Sequence, residues 1–178
     1  MSCNSLSIGR TLPCTSSVGG IKAFYVCDFG TLGALTVSAT TGELESIAGS
    51  PELFKYDVEG SNGLEQAVTA SAENGSVFYE QTLTVTLKKL DKLTQFELND
   101  LLKARTHVFV EDYNGNYFLM GATNGVHSSG GSITTGQAYG DLSGFSALTF
   151  TAQEVLPAYF TAASVITANV ESGQIEPA

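Results

Sequence analysis

The sequence has few charged residues, and positive charge is the scarcer sign. Only 15% of the 178 residues are charged, with 8 Lys and Arg against 18 Asp and Glu, so the formal net charge is −10. Such a chain is not expected to grip a nucleic acid, because that affinity comes from cations that neutralise phosphates. Two interpretations of the acidity stay open. The negative charge can keep the protein soluble. Alternatively, acidic side chains can line a passage through which DNA slides without adhering.

Cysteine and long apolar runs are also scarce. Cys3, Cys14 and Cys27 are the only cysteines, and they form no CxxC pair. Their odd number and the missing signal-peptide pattern favour reduced thiols in a cytosolic setting, and a zinc site would lack a nearby fourth ligand. No apolar run reaches about 18 residues, so no membrane span is predicted. The sequence therefore predicts no metal, no cofactor and no membrane partner.

Catalytic motifs are missing as well. The sequence has no nucleophile elbow, Walker loop, dinucleotide-binding glycine motif, HExxH helix or EF-hand loop. His107 stands at the start of a predicted strand, which favours a structural role. His127 beside a serine is not a catalytic arrangement, because triads are assembled in space. Glu80, Glu111 and Asp112 could pair as glycosidase carboxylates, but nothing in the sequence sets their separation. We therefore predict that the chain is not an enzyme.

The longest periodic stretch covers residues 76–87. Every second side chain there falls on one mostly apolar face: Val77, Tyr79, Gln81, Leu83, Val85 and Leu87. Threonines dominate the other face, so the stretch predicts a strand with one dry side. In residues 88–105 the apolar residues recur every three to four positions, which predicts an amphipathic helix of about four turns. Its start is open between an Asp91 cap and a capping box of Thr94 with Glu97.

Shorter strands are predicted on both sides of this centre. They cover residues 21–28, 35–38, 53–58, 63–72, 107–112, 116–120 and 145–155, with a brief apolar run at 44–47. Asn74-Gly75 and Asn114-Gly115 predict hairpins with type I′ turns. Residues 123–144 read as a long glycine-rich loop, and residues 164–170 as a last short strand. About eight strands and one helix predict a mainly β fold, an antiparallel β-sandwich or barrel with one flanking α-helix.

Five short segments of the sequence, here called phrases, carry a family resemblance. They are Gly19-Gly20-Ile21-Lys22, Asn74-Gly75-Ser76-Val77-Phe78-Tyr79, Leu83 to Leu90, Val110 to Tyr117, and Phe145 to Pro157. In these phrases and in its order of elements the chain resembles the tail tube proteins of tailed bacteriophages. It is most similar to tube-like structural proteins of phages infecting gut Bacteroidales, including crAss-like phages. The resemblance implies a tail-tube-like domain at residues 19–160, between an N-terminal arm (1–18) and a C-terminal arm (161–178).

The resemblance also implies a function and partners. It implies a structural virion protein of the phage tail, made in the host cytoplasm, that forms the DNA channel as a ring or stacked-ring subunit. Its partners would be copies of itself in six-fold or twelve-fold rings, neighbouring tail, portal or hub proteins, and DNA that passes without specific binding. Open sheet edges suit such rings, because edges close by pairing with neighbours. The candidate contact residues are Leu44, Ile47, Leu53, Phe54, Tyr56, His127 and Tyr139.

Two other functions stay open. A carbohydrate- or cell-surface-binding β-sandwich would present an exposed aromatic cluster, for which Tyr113, Tyr117 and Tyr139 are the candidates. A small hydrolase is the third hypothesis.

Overall fold

The computed structural model describes residues 9–171, which form two β-sheets and two helices. The strands are β1 (Ile21–Asp28), β2 (Leu35–Val37), β3 (Leu44–Ile47), β4 (Phe54–Asp57), β5 (Gly63–Ser71), β6 (Ser76–Lys88), β7 (Thr106–Asp112), β8 (Tyr117–Met120), β9 (His127–Thr134), β10 (Gly144–Glu154) and β11 (Tyr159–Thr161). The helices are α1 (Lys92–Leu101) and α2 (Ala163–Thr167). One sheet has the order β2-β3-β11-β8-β7-β1-β4, and the other has the order β5-β6-β10-β9. The predicted mainly β sandwich with a flanking helix is confirmed.

The two sheets enclose the main hydrophobic core. The four-stranded sheet contributes Leu83 and Val85 from β6 with Leu148 and Phe150 from β10, each at most 2% exposed. Helix α1 adds Leu98 to this core. The predicted alternation of β6 is confirmed in its second half, because Gln81, Leu83 and Val85 are buried and each is followed by a partly exposed threonine.

A second core covers the outer face of the seven-stranded sheet. Phe109 and Leu119 pack there against Val165 and Ile166 of helix α2. Strand β7 is consequently buried at residues 106–111 without interruption. Burial of successive residues is typical of a strand that is covered on both sides. The large sheet is thus the middle layer of the domain.

Helix α1 is shorter than its sequence pattern predicts. Strand β6 continues into the predicted helical stretch, and Lys89 then takes a φ of 67°, which turns the chain. Asp91 is the N-cap, and its carboxylate accepts hydrogen bonds from the backbone N–H groups of Leu93 at 3.0 Å and Thr94 at 3.2 Å. The earlier of the two predicted starts is therefore the one used, since a side-chain acceptor satisfies otherwise unpaired N–H groups.

Both Asn-Gly hairpins are present, but the predicted type I′ turns are wrong. Only the glycine of each pair has positive φ, 60° at Gly75 and 81° at Gly115, whereas a type I′ turn needs positive φ at two successive residues. In the β7–β8 hairpin the Asp112 carboxylate accepts hydrogen bonds from the backbone N–H of Asn114 at 2.9 Å and Asn116 at 2.7 Å. These bonds favour a three-residue loop closed by the glycine.

The predicted loop at residues 123–144 contains strand β9, so that prediction is wrong. β9 pairs antiparallel with β10 although it lacks a regular apolar pattern. β10 itself contains a bulge, where Ala147 has a φ of 49° and the pairing register shifts. The bulge places Phe145 on the buried side with Leu148, whereas simple alternation puts these two residues on opposite faces.

The predicted C-terminal arm belongs to the domain up to residue 170. Thr161 is buried in β11, and the strand predicted at residues 164–170 is helix α2 instead. Val165 and Ile166 are adjacent and both pack into the second core, which a helix allows, whereas successive side chains of a strand point to opposite faces. Val170 forms a parallel bridge with Leu53. The remaining arm residues, 172–178, lie outside the described residues.

His107 is a buried structural residue, as its position in the sequence predicts. Its Nδ1 lies 2.7 Å from the carbonyl oxygen of Gly121, and its Nε2 accepts a hydrogen bond from the backbone N–H of Gly30 at 3.1 Å. These two contacts require a neutral ring that is protonated at Nδ1 only. Burial lowers the pKa of His107, in spite of the hydrogen bond to Gly121.

We expect the stability of the fold to decrease in mild acid because of His107. Below about pH 6.5 the unfolded chain binds a proton at this residue more readily than the folded chain does. The free energy of unfolding should therefore fall by up to about 1.4 kcal/mol per pH unit from pH 6.5 toward the lowered pKa. Urea unfolding between pH 7.5 and 5 measures this slope. His107→Gln should reduce it, His127→Gln should preserve it, and an equal slope in both variants would contradict the assignment.

Candidate functional site: the open sheet edges

Four strands stand at sheet edges within residues 9–171. β2 and β4 end the seven-stranded sheet, and β5 and β9 end the four-stranded sheet. An edge strand presents unpaired backbone N–H and C=O groups, which are a template for pairing with another chain. These edges are the candidate sites of assembly.

The β5 edge is long and regular. β5 pairs with β6 from Gly63 to Ser71 without any register shift. The half of this hairpin nearest its turn extends beyond the core, and Val68 and Val77 are 61% and 52% exposed there. No proline or lysine stands in β5, although these residues often protect natural edges. The edge is therefore open to a partner strand.

The β9 edge is shorter and less regular. Its pairing with β10 contains register shifts, and β9 carries Gly130 and Gly131 at its centre. His127 at its start and Ile133 near its end are exposed. Since every neighbouring pair in β5-β6-β10-β9 is antiparallel, β5 and β9 run in opposite directions at the two sides of one sheet.

The outer face of the four-stranded sheet is rich in threonine. Two threonine pairs face each other across β6 and β10: Thr82 with Thr151 and Thr84 with Thr149. Glu65 and Glu80 share this face, since Glu65 pairs with Thr82 and Glu80 with Gln153. The face is thus polar and acidic, with a buried side beneath it.

Positive charge on this sheet is almost absent. Lys88 is the one Lys or Arg in its four strands, and its Nζ lies 2.7 Å from a carboxylate oxygen of Glu59. Arg105 lies at the border of the face, where its guanidinium stacks 3.7 Å from the centre of the Phe29 ring. Both cations are thus engaged with groups of the same chain.

A groove of about 400 Å³ runs between edge strand β4 and helix α1. Val26, Phe54, Tyr56, Leu101 and Ala104 supply its apolar surface. Asp28, Glu97 and Asp100 place three carboxylates around it, and the one lysine of its lining, Lys55, lies 2.9 Å from a carboxylate oxygen of Asp57. The groove therefore combines an apolar floor with net negative charge.

The predicted contact residues fall into two groups. Leu44 and Leu53 are fully buried in the second core, so these two are wrong as surface contacts of the single copy. Ile47 packs against this core but is only partly buried, so it stays a candidate contact. Phe54, 47% exposed, lies in the β4 groove together with Tyr56, whose ring stacks on Phe24 at 4.9 Å. Leu44 and Leu53 stand in short stretches without a regular apolar pattern, so the sequence does not show that they fill the second core.

The remaining predicted contacts lie at the β9 side of the small sheet. His127 begins β9 and Tyr139 is fully exposed in the segment between β9 and β10. The β5 edge was not among the predicted contacts. The sequence signal for this edge is the alternating run 63–72, whose half nearest the turn has mostly small or polar side chains on both faces and so has little to bury.

The aromatic and carboxylate groups of the alternative functions are dispersed. Tyr117 packs at the second core, 6.4 Å from the Tyr25 ring, and no ring contact within residues 9–171 joins it to Tyr113 or Tyr139. Glu80 belongs to the small sheet, whereas Glu111 belongs to the large sheet.

Glu111 has a structural role in the large sheet. Its carboxylate accepts hydrogen bonds from Lys22 Nζ at 2.7 Å and from the Tyr25 hydroxyl at 2.8 Å. Burial and this hydrogen bond raise the pKa of Tyr25, so its hydroxyl stays protonated. The carboxylate is therefore occupied by neighbours of its own sheet.

Comparisons with known proteins give no relative. No protein-family model matches the chain, and neither curated proteins nor solved structures show a significant match. Among residues 9–171, no helix has both the length and the apolar character that a bilayer crossing requires.

Proposed function

We propose that this chain is a structural subunit that assembles into a ring or stacked-ring tube, the tail tube of a bacteriophage, with a channel for DNA. The observation that carries the proposal is the four-stranded sheet with two open edges, β5 and β9. Because these edges belong to one sheet, joining β9 of one copy to β5 of the next extends a single sheet around a ring. The resemblance in sequence phrases supports the same function.

The strand directions allow this closure. β5 and β9 run in opposite directions, so β9 of one copy meets β5 of the next as an antiparallel pair. The up-and-down alternation then continues from copy to copy without a break. A head-to-tail contact of this kind closes into a ring when the rotation per copy fits. Several four-stranded sheets together form a large barrel, and barrels of about 16 to 18 strands already leave an aqueous channel.

The threonine face of the small sheet is the proposed channel wall. The opposite face is buried in the main core, so the threonine face alone can meet the channel. Hydroxyl groups with Glu65 and Glu80 among them give a wetted, acidic wall. DNA phosphates find no free cation on its four strands, and the net charge of −10 adds repulsion. DNA would slide through such a wall rather than adhere.

Native mass spectrometry and negative-stain electron microscopy of the purified full chain test the proposal. We expect closed rings or tubes with a central opening, whose population increases with concentration. A chain that stays monomeric at the highest accessible concentration would contradict it.

Reversing the charge of the channel wall should make the assembled particle bind DNA. In Glu65→Lys/Glu80→Lys two cations replace two anions on the threonine face, so phosphates gain partners there. We expect retention of double-stranded DNA at low salt, and the affinity should fall as salt is raised. Glu52→Lys/Glu73→Lys is the control, because it changes the net charge equally at two exposed positions outside the face. Equal retention by both variants would count against this wall.

A further inference from the structure

The N-terminal segment is exposed and unpaired along its described length. Residues 9–19 are all exposed, and Leu12 is 96% exposed. Its attachment to the domain is at Val18, whose N–H donates to Asn114 Oδ1 at 3.0 Å and whose carbonyl accepts from Asn114 Nδ2 at 2.7 Å. Among the described residues, no other hydrogen bond joins residues 9–17 to the rest of the domain.

The sequence of this segment has the pattern of a strand with one face to bury. Leu6, Ile8, Arg10 and Leu12 alternate with Ser5, Ser7, Gly9 and Thr11. Such alternation predicts an extended strand that is covered on one side. Arg10 has no carboxylate within salt-bridge distance among the described residues. The segment thus offers an apolar stripe that carries one free positive charge.

The groove between β4 and α1 has the complementary properties. Strand β4 pairs with β1 on one side. On the other side residues 169–171 pair with Leu53, directly before β4, and no described strand pairs with Phe54–Asp57, so this stretch can accept an added strand. Phe54 gives the groove an apolar wall, and Glu97 and Asp100 of α1 face it with negative charge. Lys55 at this site is already paired with Asp57. An extended chain with alternating apolar residues and one arginine fits this combination.

The structure favours the groove of another copy over the groove of the same copy, because residues 9–19 are all exposed and none of them lines this groove. Val18 is anchored near Ile21, at the start of β1, whereas the groove lies at the other end of this strand. Eight residues of strand place these ends about 23 Å apart. When fully extended, Leu12, six residues before Val18, reaches at most about 21 Å, and Arg10, eight residues before Val18, reaches about 28 Å, so only Leu12 falls short of the far end of β1. A neighbouring copy can present its groove without this limit.

We propose that the segment around Arg10 and Leu12 of one copy lies as an added strand in the β4–α1 groove of another copy. Leu12 covers the apolar floor, and the Arg10 guanidinium pairs with the carboxylates of Glu97 and Asp100. The inference rests on the proposed function, because it requires that copies assemble. It adds a second contact to the one between β5 and β9.

Two sets of substitutions test this contact in the full chain. Arg10→Glu/Leu12→Asp alters the segment, and Glu97→Lys/Asp100→Lys alters the groove, at positions that are exposed in the single copy. We expect each variant to raise the protein concentration at half assembly at least tenfold, measured by sedimentation velocity. Lys103→Glu, an exposed charge change outside the groove lining, should leave this concentration unchanged.

Mixing the two variants separates a contact between copies from a contact within one copy. The segment of the groove variant and the groove of the segment variant are both intact, so the mixture should form pairs of unlike copies. Native mass spectrometry with one variant isotope-labelled detects these pairs above the level expected from random association. Weakened assembly without enrichment of unlike pairs would place the contact within one copy and overturn the inference.

Failure of the inference and failure of the proposed function give different results. Wild-type rings whose assembly is unaffected by either variant would overturn this contact and leave the ring proposal in place. A wild-type chain that remains monomeric at every concentration would overturn both.

Discussion

Val68→Asp is expected to reduce ring assembly by at least about 100-fold. Val68 is 61% exposed on the β5 edge of the single copy, and the proposed β5–β9 contact covers it. Burying an unpaired carboxylate there costs about 3 kcal/mol or more, and each 1.4 kcal/mol is a factor of ten in association. Native mass spectrometry over a concentration series gives the concentration at half assembly.

Val155→Asp is the matched control for this prediction. Val155 is 73% exposed and follows β10, so it does not stand on an edge strand. The same change of chemistry should leave the β5–β9 contact in place, with little effect on assembly. Rings that form equally well with Val68→Asp would rule out β5 as the joining edge.

Phe109→Ala should destabilise the single copy by about 3 to 5 kcal/mol. Phe109 is fully buried on β7, at the second core between the large sheet and helix α2. Removing its ring leaves a cavity in the layer that holds α2 to the sheet. A domain of this size has a free energy of unfolding of about 5 to 15 kcal/mol, so the loss is a large fraction. Urea unfolding monitored by circular dichroism measures it.

Phe96→Ala removes the same side chain at an exposed position. Phe96 is 65% exposed on α1, so its truncation should change the free energy of unfolding by no more than about 0.5 kcal/mol. If Phe109→Ala changed the free energy of unfolding as little as this control does, the outer face of the large sheet would not be a core. Residues 161–170 would then form an arm, as the sequence predicts.

The strands with regular alternation were predictable because each has one face to bury. β1 was predicted with its observed bounds, and β6 with an error of one residue at its end. The two hairpins followed from their Asn-Gly pairs. Their turn type did not, because Asp112 stabilises a different loop in the β7–β8 hairpin by accepting backbone hydrogen bonds.

Elements without their own pattern were missed for a common reason. β9 has Gly130 and Gly131 at its centre and becomes a strand because the free edge of β10 supplies its hydrogen bonds. α2 consists largely of residues with strand propensity, yet it is helical because Val165 and Ile166 both fill the second core. Contacts between distant segments determine the secondary structure of β9 and α2, and the local sequence carries no information on those contacts.

The amino-acid sequence by itself determined the mainly β class, the central alternating strand, the flanking helix and the scarcity of positive charge, because these follow from residue type and local period. Only the tertiary structure decided which edges stay open and which apolar residues are hidden. Leu44 and Leu53 show the difference. The short stretches around them indicate no buried face, yet both side chains are fully buried in the fold. Burial and strand pairing arise when segments that are distant in sequence come together. The candidate assembly surfaces are the strand edges and apolar side chains that this pairing leaves exposed.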